Sequence, residues 1–204
     1  MRAVKGAGGY RSRRYVFREF DALRVVDALL SGNAWQKIAQ RPADPQQGIP
    51  RLVKWELLPG LRASYYEEEA LGASYVVLTS TLGAPSVHSA AAGFEVHPQV
   101  YDFADLIAEL DTASTAERRA VAVARAGLGA PLARDDVFFE RISGCAADAE
   151  PQVRHGALWA VSLTEWPEFR DLLRSVARAD ADPELRELAR ETLTDFDELD
   201  REDR

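Results

Sequence analysis

Three patches of the chain hold residue types that could do chemistry. Glu67-Glu68-Glu69 is the densest acidic cluster of the first half, and Tyr65-Tyr66 stands directly before it. On an extended strand, side chains two apart share a face, so Tyr65, Glu67 and Glu69 would lie together. Paired carboxylates could move a proton or hold a cation, and the aromatic–acidic mixture would suit a basic partner. A solvated strand end accounts for the same residues. The second patch is His155 with Trp159, one helical turn apart. An exposed tryptophan there would be a binding anchor. The alternative is that it fills a groove between helices. The third is a set of arginines, Arg119, Arg154 and Arg186, at nearly regular intervals.

Other chemistry lacks its residues. His88 and His97 are nine apart and His155 lies in the other half, without the spacing or the extra Cys and Asp that zinc demands. No Gly-x-Ser-x-Gly is present, and Cys145 sits between Gly144 and Ala146-Ala147 at what reads as a buried helix end. Gly6-Ala7-Gly8-Gly9 follows no strand and precedes no Gly-Lys-Ser/Thr, so it is not a phosphate loop. The expectation is no catalytic residue, no metal and no cofactor.

Composition narrows the classes further. The chain has 204 residues, 47% of them hydrophobic and 28% charged, which is ample for a buried core and too apolar for disorder. One cysteine rules out an internal disulfide and suggests a reducing compartment, read here as the cytoplasm. No apolar run approaches the roughly 18–20 residues that span a bilayer, so no membrane partner is expected. The net charge of −8 is unevenly spread. Residues 1–24 carry seven basic and two acidic side chains, whereas residues 180–204 carry eleven acidic ones and four arginines. Phosphate binding needs a positive surface, so this balance argues against nucleic acid.

Hydropathy divides the chain in two. In the first half, a basic arm over 1–15 reads as flexible. Phe17, Phe20, Leu23, Val26, Leu29 and Leu30 then predict an amphipathic helix. Asn33 is placed to cap a short second helix with Trp35 and Ile38, and a turn-rich loop runs from Arg41 to Pro50. From Arg51 the period becomes two. Strands are expected over 52–58, 61–69 and 75–81, with Ser86–Ala91 and Gly93–His97 as a possible fourth and fifth. Asp102 opens a helix carrying Phe103, Leu106, Ile107 and Leu110. The fold class expected is α+β: a small domain over 1–111, an all-helical part over 112–198, and an acidic tail over 199–204.

The second half repeats itself. Glu150-Pro151-Gln152-Val153-Arg154 matches Asp182-Pro183-Glu184-Leu185-Arg186 at a displacement of 32, and Arg119, Ala122 and Ala126 form a weaker earlier copy. Larger apolar residues lie between the copies, from Val137 to Ile142 and from Phe169 to Val176. The pattern acid-x-acid-Pro-x-aliphatic-Arg-x-x-Ala, at Asp148–Ala157 and Asp180–Ala189, resembles HEAT-like repeats of the short bacterial type found in phycobilisome lyases. The resemblance covers roughly residues 113–198. It implies an α-helical solenoid of stacked helix pairs, in which the repeated arginine pairs with the acidic turn of a neighbouring repeat.

Three functions remain in play. The preferred one is a non-catalytic protein-binding module with a basic partner, using His155 and Trp159 or Tyr65, Glu67 and Glu69. Size and charge alone make an immunity-type protein, which neutralises a toxin by binding it, one form of this. The alternatives are an enzyme or ligand-binding protein with its site near Tyr65, Glu67 and His88 or His97, and nucleic-acid binding through Arg11, Arg13 and Arg14.

Overall fold

Alternation of apolar and polar residues from Arg51 onward builds the central hairpins of the first half. A computed structural model describes residues 4–6 and 9–202. The chain divides into two compact units, Met1–Asp102 and Phe103–Arg204.

The first unit is a seven-stranded antiparallel sheet with two helices. Its strands are β1 (Val4–Gly6), β2 (Gly9–Arg11), β3 (Tyr15–Val16), β4 (Gln36–Arg41), β5 (Arg51–Leu58), β6 (Leu61–Glu68) and β7 (Ala73–Ser80). The order is β1-β2-β7-β6-β5-β4, with β3 also pairing to β7. Pro59-Gly60 turns β5 into β6, and Gly60 takes φ 90°, which its missing Cβ permits. Val53 and Trp55 of β5, Ala63 and Tyr65 of β6, and Val76 and Leu78 of β7 point to one face. They form a single buried cluster with Val26 and Leu30 of α1 (Leu23–Ser31) and with Val87, Ala91 and Phe94 of α2 (Ala84–Glu95).

Four expectations for this unit are corrected. Residues 86–97 form no strands: Pro85 opens α2, and Val87, Ala91 and Phe94 recur at helical spacing on its buried face. The expected helix at Trp35 and Ile38 is the edge strand β4. Asn33 does not cap it; its side-chain amide donates to the Leu29 carbonyl at 2.7 Å and closes α1 instead. α1 begins at Leu23, not Phe17, because Phe17 is buried in a bridge to Val100 and Phe20 lies at the surface. Finally, residues 9–15 are no mobile arm. Tyr10 and Arg11 pair with β7, and Ser12 and Arg13 are buried, Arg13 lying 4.6 Å over the Tyr15 ring. Residues 1–3 and 7–8 of the expected arm lie outside the described residues.

The second unit is built of helices, with no strand among its described residues, as the loss of alternation predicts. It contains α3 (Phe103–Thr112), α4 (Ala116–Gly129), α5 (Asp136–Cys145), α6 (Pro151–Thr164), α7 (Arg170–Ala179) and α8 (Pro183–Glu202). Thr115 and Asp135 cap α4 and α5 by accepting from backbone N–H groups of the first turn. α4 and α6 pack at backbone distance, because Gly156 faces Ala120 and Gly127 faces Ala160. Phe138, Ile142, Phe169 and Leu173 fill the interior beside them. No helix among the described residues is long and apolar enough to cross a membrane.

Candidate functional site

Alternation on β6 does bring Tyr65 and Glu67 to one face, and that face is the interior. Tyr65 is fully buried, and its hydroxyl donates to Glu67 Oε1 at 2.9 Å while accepting from the Ala22 N–H at 3.0 Å. Glu67 is also buried and takes the Arg51 guanidinium at 3.3 Å. Burial first, and the Glu67 carboxylate next to it, hold the Tyr65 hydroxyl well above the ordinary phenol range. Glu69 does not join them. β6 ends at Glu68, and Glu69 starts a short 3-10 turn, where it is exposed. The expected pair of carboxylates on one face is therefore not formed. What stands in its place ties α1 to the sheet, since the Tyr65 hydroxyl satisfies an N–H at the helix entrance.

His88 and His97 are also apart from this cluster. His88 is an exposed residue of α2. His97 follows that helix, where its Nδ1 accepts from the Gln99 N–H at 3.2 Å and its ring packs near Phe17. Among the described residues, no group of three or more His, Cys, Asp or Glu side chains could hold a metal ion.

The repeated arginines are engaged inside the second unit. Arg154 grips Asp180 with two bonds, Nε to Oδ2 at 2.9 Å and Nη2 to Oδ1 at 3.0 Å. Its remaining nitrogen, Nη1, donates to the carbonyls of Asp148 and Ala149. Arg119 reaches Asp148 at 2.8 Å. Each of these aspartates also accepts from the backbone N–H two residues on, Asp148 from Glu150 and Asp180 from Asp182. Asp180 sits below the usual carboxylate range chiefly because Arg154 hydrogen-bonds its charged form. Asp148 is lowered first by the Glu150 N–H and then by Arg119. The pair Arg154–Asp180 is nearly dry, with side chains 13% and 6% exposed.

His155 and Trp159 lie on a different strip of α6. Their rings are tilted against each other at 5.9 Å between centroids, with His155 exposed and Trp159 half-buried. One turn further, Ser162 donates to the Trp159 carbonyl and borders a groove of about 290 Å³ between α6 and α8. Glu165, Asp195, Glu198 and Leu199 line that groove, and Leu199 is 41% exposed. Periodicity could place Trp159 opposite the buried face of α6. It could not disclose the groove, because eighteen residues of chain, α7 among them, lie between α6 and α8. A larger apolar groove of about 490 Å³ in the first unit was missed altogether. It runs past Leu29, Trp35, Leu57, Leu58 and Phe94, and depends on α2 being a helix.

Charge follows the division into units. The first 102 residues carry 12 basic and 10 acidic side chains, and the remaining 102 carry 13 and 23, for net charges of +2 and −10. Comparison of the chain with protein-family models, with curated proteins and with solved structures found no match.

Proposed function

We propose that this chain is a non-catalytic protein-binding module that docks a basic partner on the α6–α8 side of its second unit. One observation carries the reading: His155 and Trp159 form an accessible aromatic pair on α6, one helical turn before Ser162, which borders a groove walled by carboxylates. A tryptophan held half-buried has already lost much of its rotamer freedom and offers a large apolar face to a partner. Lys and Arg side chains are attracted to that face and to the surrounding negative charge. The net charge of −10 on this unit adds long-range steering of a basic surface.

The other clusters favour the same choice. Tyr65 and Glu67 are spent on internal hydrogen bonds, and Arg119 and Arg154 on internal ion pairs. Recurrence of the arginine–carbonyl bonds after 32 residues supports reading residues 113–198 as HEAT-like stacked helix pairs. An immunity-type role within this class rests on size and charge.

The test is recovery of the tagged protein from its host, alongside the His155→Ala/Trp159→Ala variant. The expected result is a basic protein that co-purifies at low salt. The double variant should bind it at least about thirtyfold more weakly, as befits an anchor worth roughly 2 kcal/mol. Undiminished binding by a variant that still unfolds cooperatively, or no protein partner at all, would remove the proposal.

A further inference from the structure

Three arginines occupy the same place on alternate helices, α4, α6 and α8, and two of them hold a carboxylate. Arg119 of α4 takes Asp148, and Arg154 of α6 takes Asp180. Arg186 of α8 follows Arg154 by 32 residues and is fixed in the same way at its inner end. Its Nη1 donates to the carbonyls of Asp180 and Ala181, as Arg154 Nη1 donates to those of Asp148 and Ala149. In Arg154 this leaves the Nε–Nη2 edge for both oxygens of Asp180. In Arg186 the same edge meets no acceptor among the described residues.

Nearby acids do not compensate. Asp180 is committed to Arg154, Asp182 Oδ1 accepts from the Glu184 N–H, and Glu187 pairs with Arg190 at 2.5 Å. Arg186 is a half-buried residue whose Nη1 is anchored by two carbonyls, so its fork is already oriented. A planar fork held in this way selects a carboxylate with two parallel acceptors, a geometry that the point charge of lysine does not reproduce.

We infer that Arg186 is a carboxylate-binding site, and that its ligand is an aspartate presented on a helix-entry turn of a partner protein. The chemistry is that of the turn Arg154 already holds, Asp180-Ala181-Asp182-Pro183. A second copy of this chain fits less well. The residue six positions before Arg119, where Asp148 and Asp180 stand relative to Arg154 and Arg186, is Ala113. The assignment uses neither His155 nor Trp159 and stands whether or not that pair binds a basic partner.

The experiment titrates the full-length protein with the peptide acetyl-Asp-Ala-Asp-Pro-Glu-Leu-amide, the sequence of residues 180–185. Arginine Nε–H resonances are followed by NMR. The expected result is a saturable shift of Arg186 Nε–H within about 20 mM peptide, with Arg154 unmoved because its carboxylate is in place. A peptide with its first residue changed to Asn should bind about tenfold more weakly, since one charge-assisted bond is lost. Arg186→Lys, which keeps the charge and loses the fork, should abolish saturation. No saturable shift, equal binding of the Asn peptide, or an unchanged titration of Arg186→Lys would each overturn the assignment. So would a shift that grows with protein concentration alone, which would make the occupant a second copy.

Discussion

Adding one methyl group at Gly156 should separate the two central helices of the second unit. A Cβ there would overlap the Ala120 carbonyl oxygen and lie 3.0 Å from the Ala120 carbonyl carbon and 3.1 Å from its Cα. Carbon atoms prefer about 3.5–4.0 Å, so α6 must retreat from α4 by several tenths of an ångström along its length. Overpacking of this kind costs about 1–3 kcal/mol, and the upper end applies because backbone, not a movable side chain, blocks the way. Replacing glycine inside a helix returns about 1 kcal/mol. Gly156→Ala should therefore lose about 2 kcal/mol net. For a unit of this size, that is a fall in Tm of roughly 8–16 °C in scanning calorimetry. Gly144→Ala serves as the control, since a Cβ at Gly144 meets nothing within 4 Å. Its Tm should hold or rise. Trimming Ala120 to glycine should not rescue Gly156→Ala, because the clash is with the carbonyl group. A Gly156→Ala protein as stable as the parent would refute the helix separation on which this reasoning depends.

Other perturbations reach other parts of the fold. Asp180→Ala strands the nearly dry Arg154 guanidinium and should cost about 3–5 kcal/mol in urea unfolding. Because Arg154 depresses the Asp180 pKa, the stability this pair provides is fully present above the unfolded-state value near ~3.9. It is lost as pH falls through the lower folded value. Asp180→Asn should accordingly flatten the acid limb of stability against pH. A limb unchanged from the parent would mean that the pair is not what titrates. Tyr65→Phe leaves the buried Ala22 N–H without its acceptor and should cost about 1–3 kcal/mol. Global stability, read by chemical denaturation, is the measurement, and a neutral outcome would show that water replaces the hydroxyl. Burial raises the Cys145 thiol and shields it, so labelling by a thiol reagent at neutral pH should be slow in the native protein and fast in denaturant. Equal rates in both would place the end of α5 in solvent.

Legibility in the sequence followed the length over which local periodicity was strong. β5, β6 and β7 were readable because alternation persists across them and Pro59-Gly60 marks the turn. α5, α6 and α8 were readable because capping aspartates and opening prolines coincide with helical spacing. Short segments misled. Ala84–Glu95 has few large apolar residues to announce its period, and Gln36–Arg41 is a strand only because β5 lies beside it with free backbone groups to pair. Tyr10, Arg11 and Tyr15 read as an arm because nothing within sixty residues tells them that β7 will accept them as an added strand.

The candidate sites divide along the same line. From the order of residues alone it follows that Tyr65 and Glu67 share a face, that His155 and Trp159 share another, and that the arginines recur with their acidic turns. Those are consequences of the backbone repeat within one element. Which face is inside was decided only by the tertiary structure, because it depends on what packs against it. Tyr65 and Glu67 point to the face that α1 and α2 cover and became part of the interior. The strip bearing His155 and Trp159 stayed accessible, since α6 buries its alanine and glycine side against α4. The same packing engaged Arg119 and Arg154 and left the outer edge of Arg186 open. Its two nearest carbonyls come from the turn before α8, and among the described residues no carboxylate reaches its other edge.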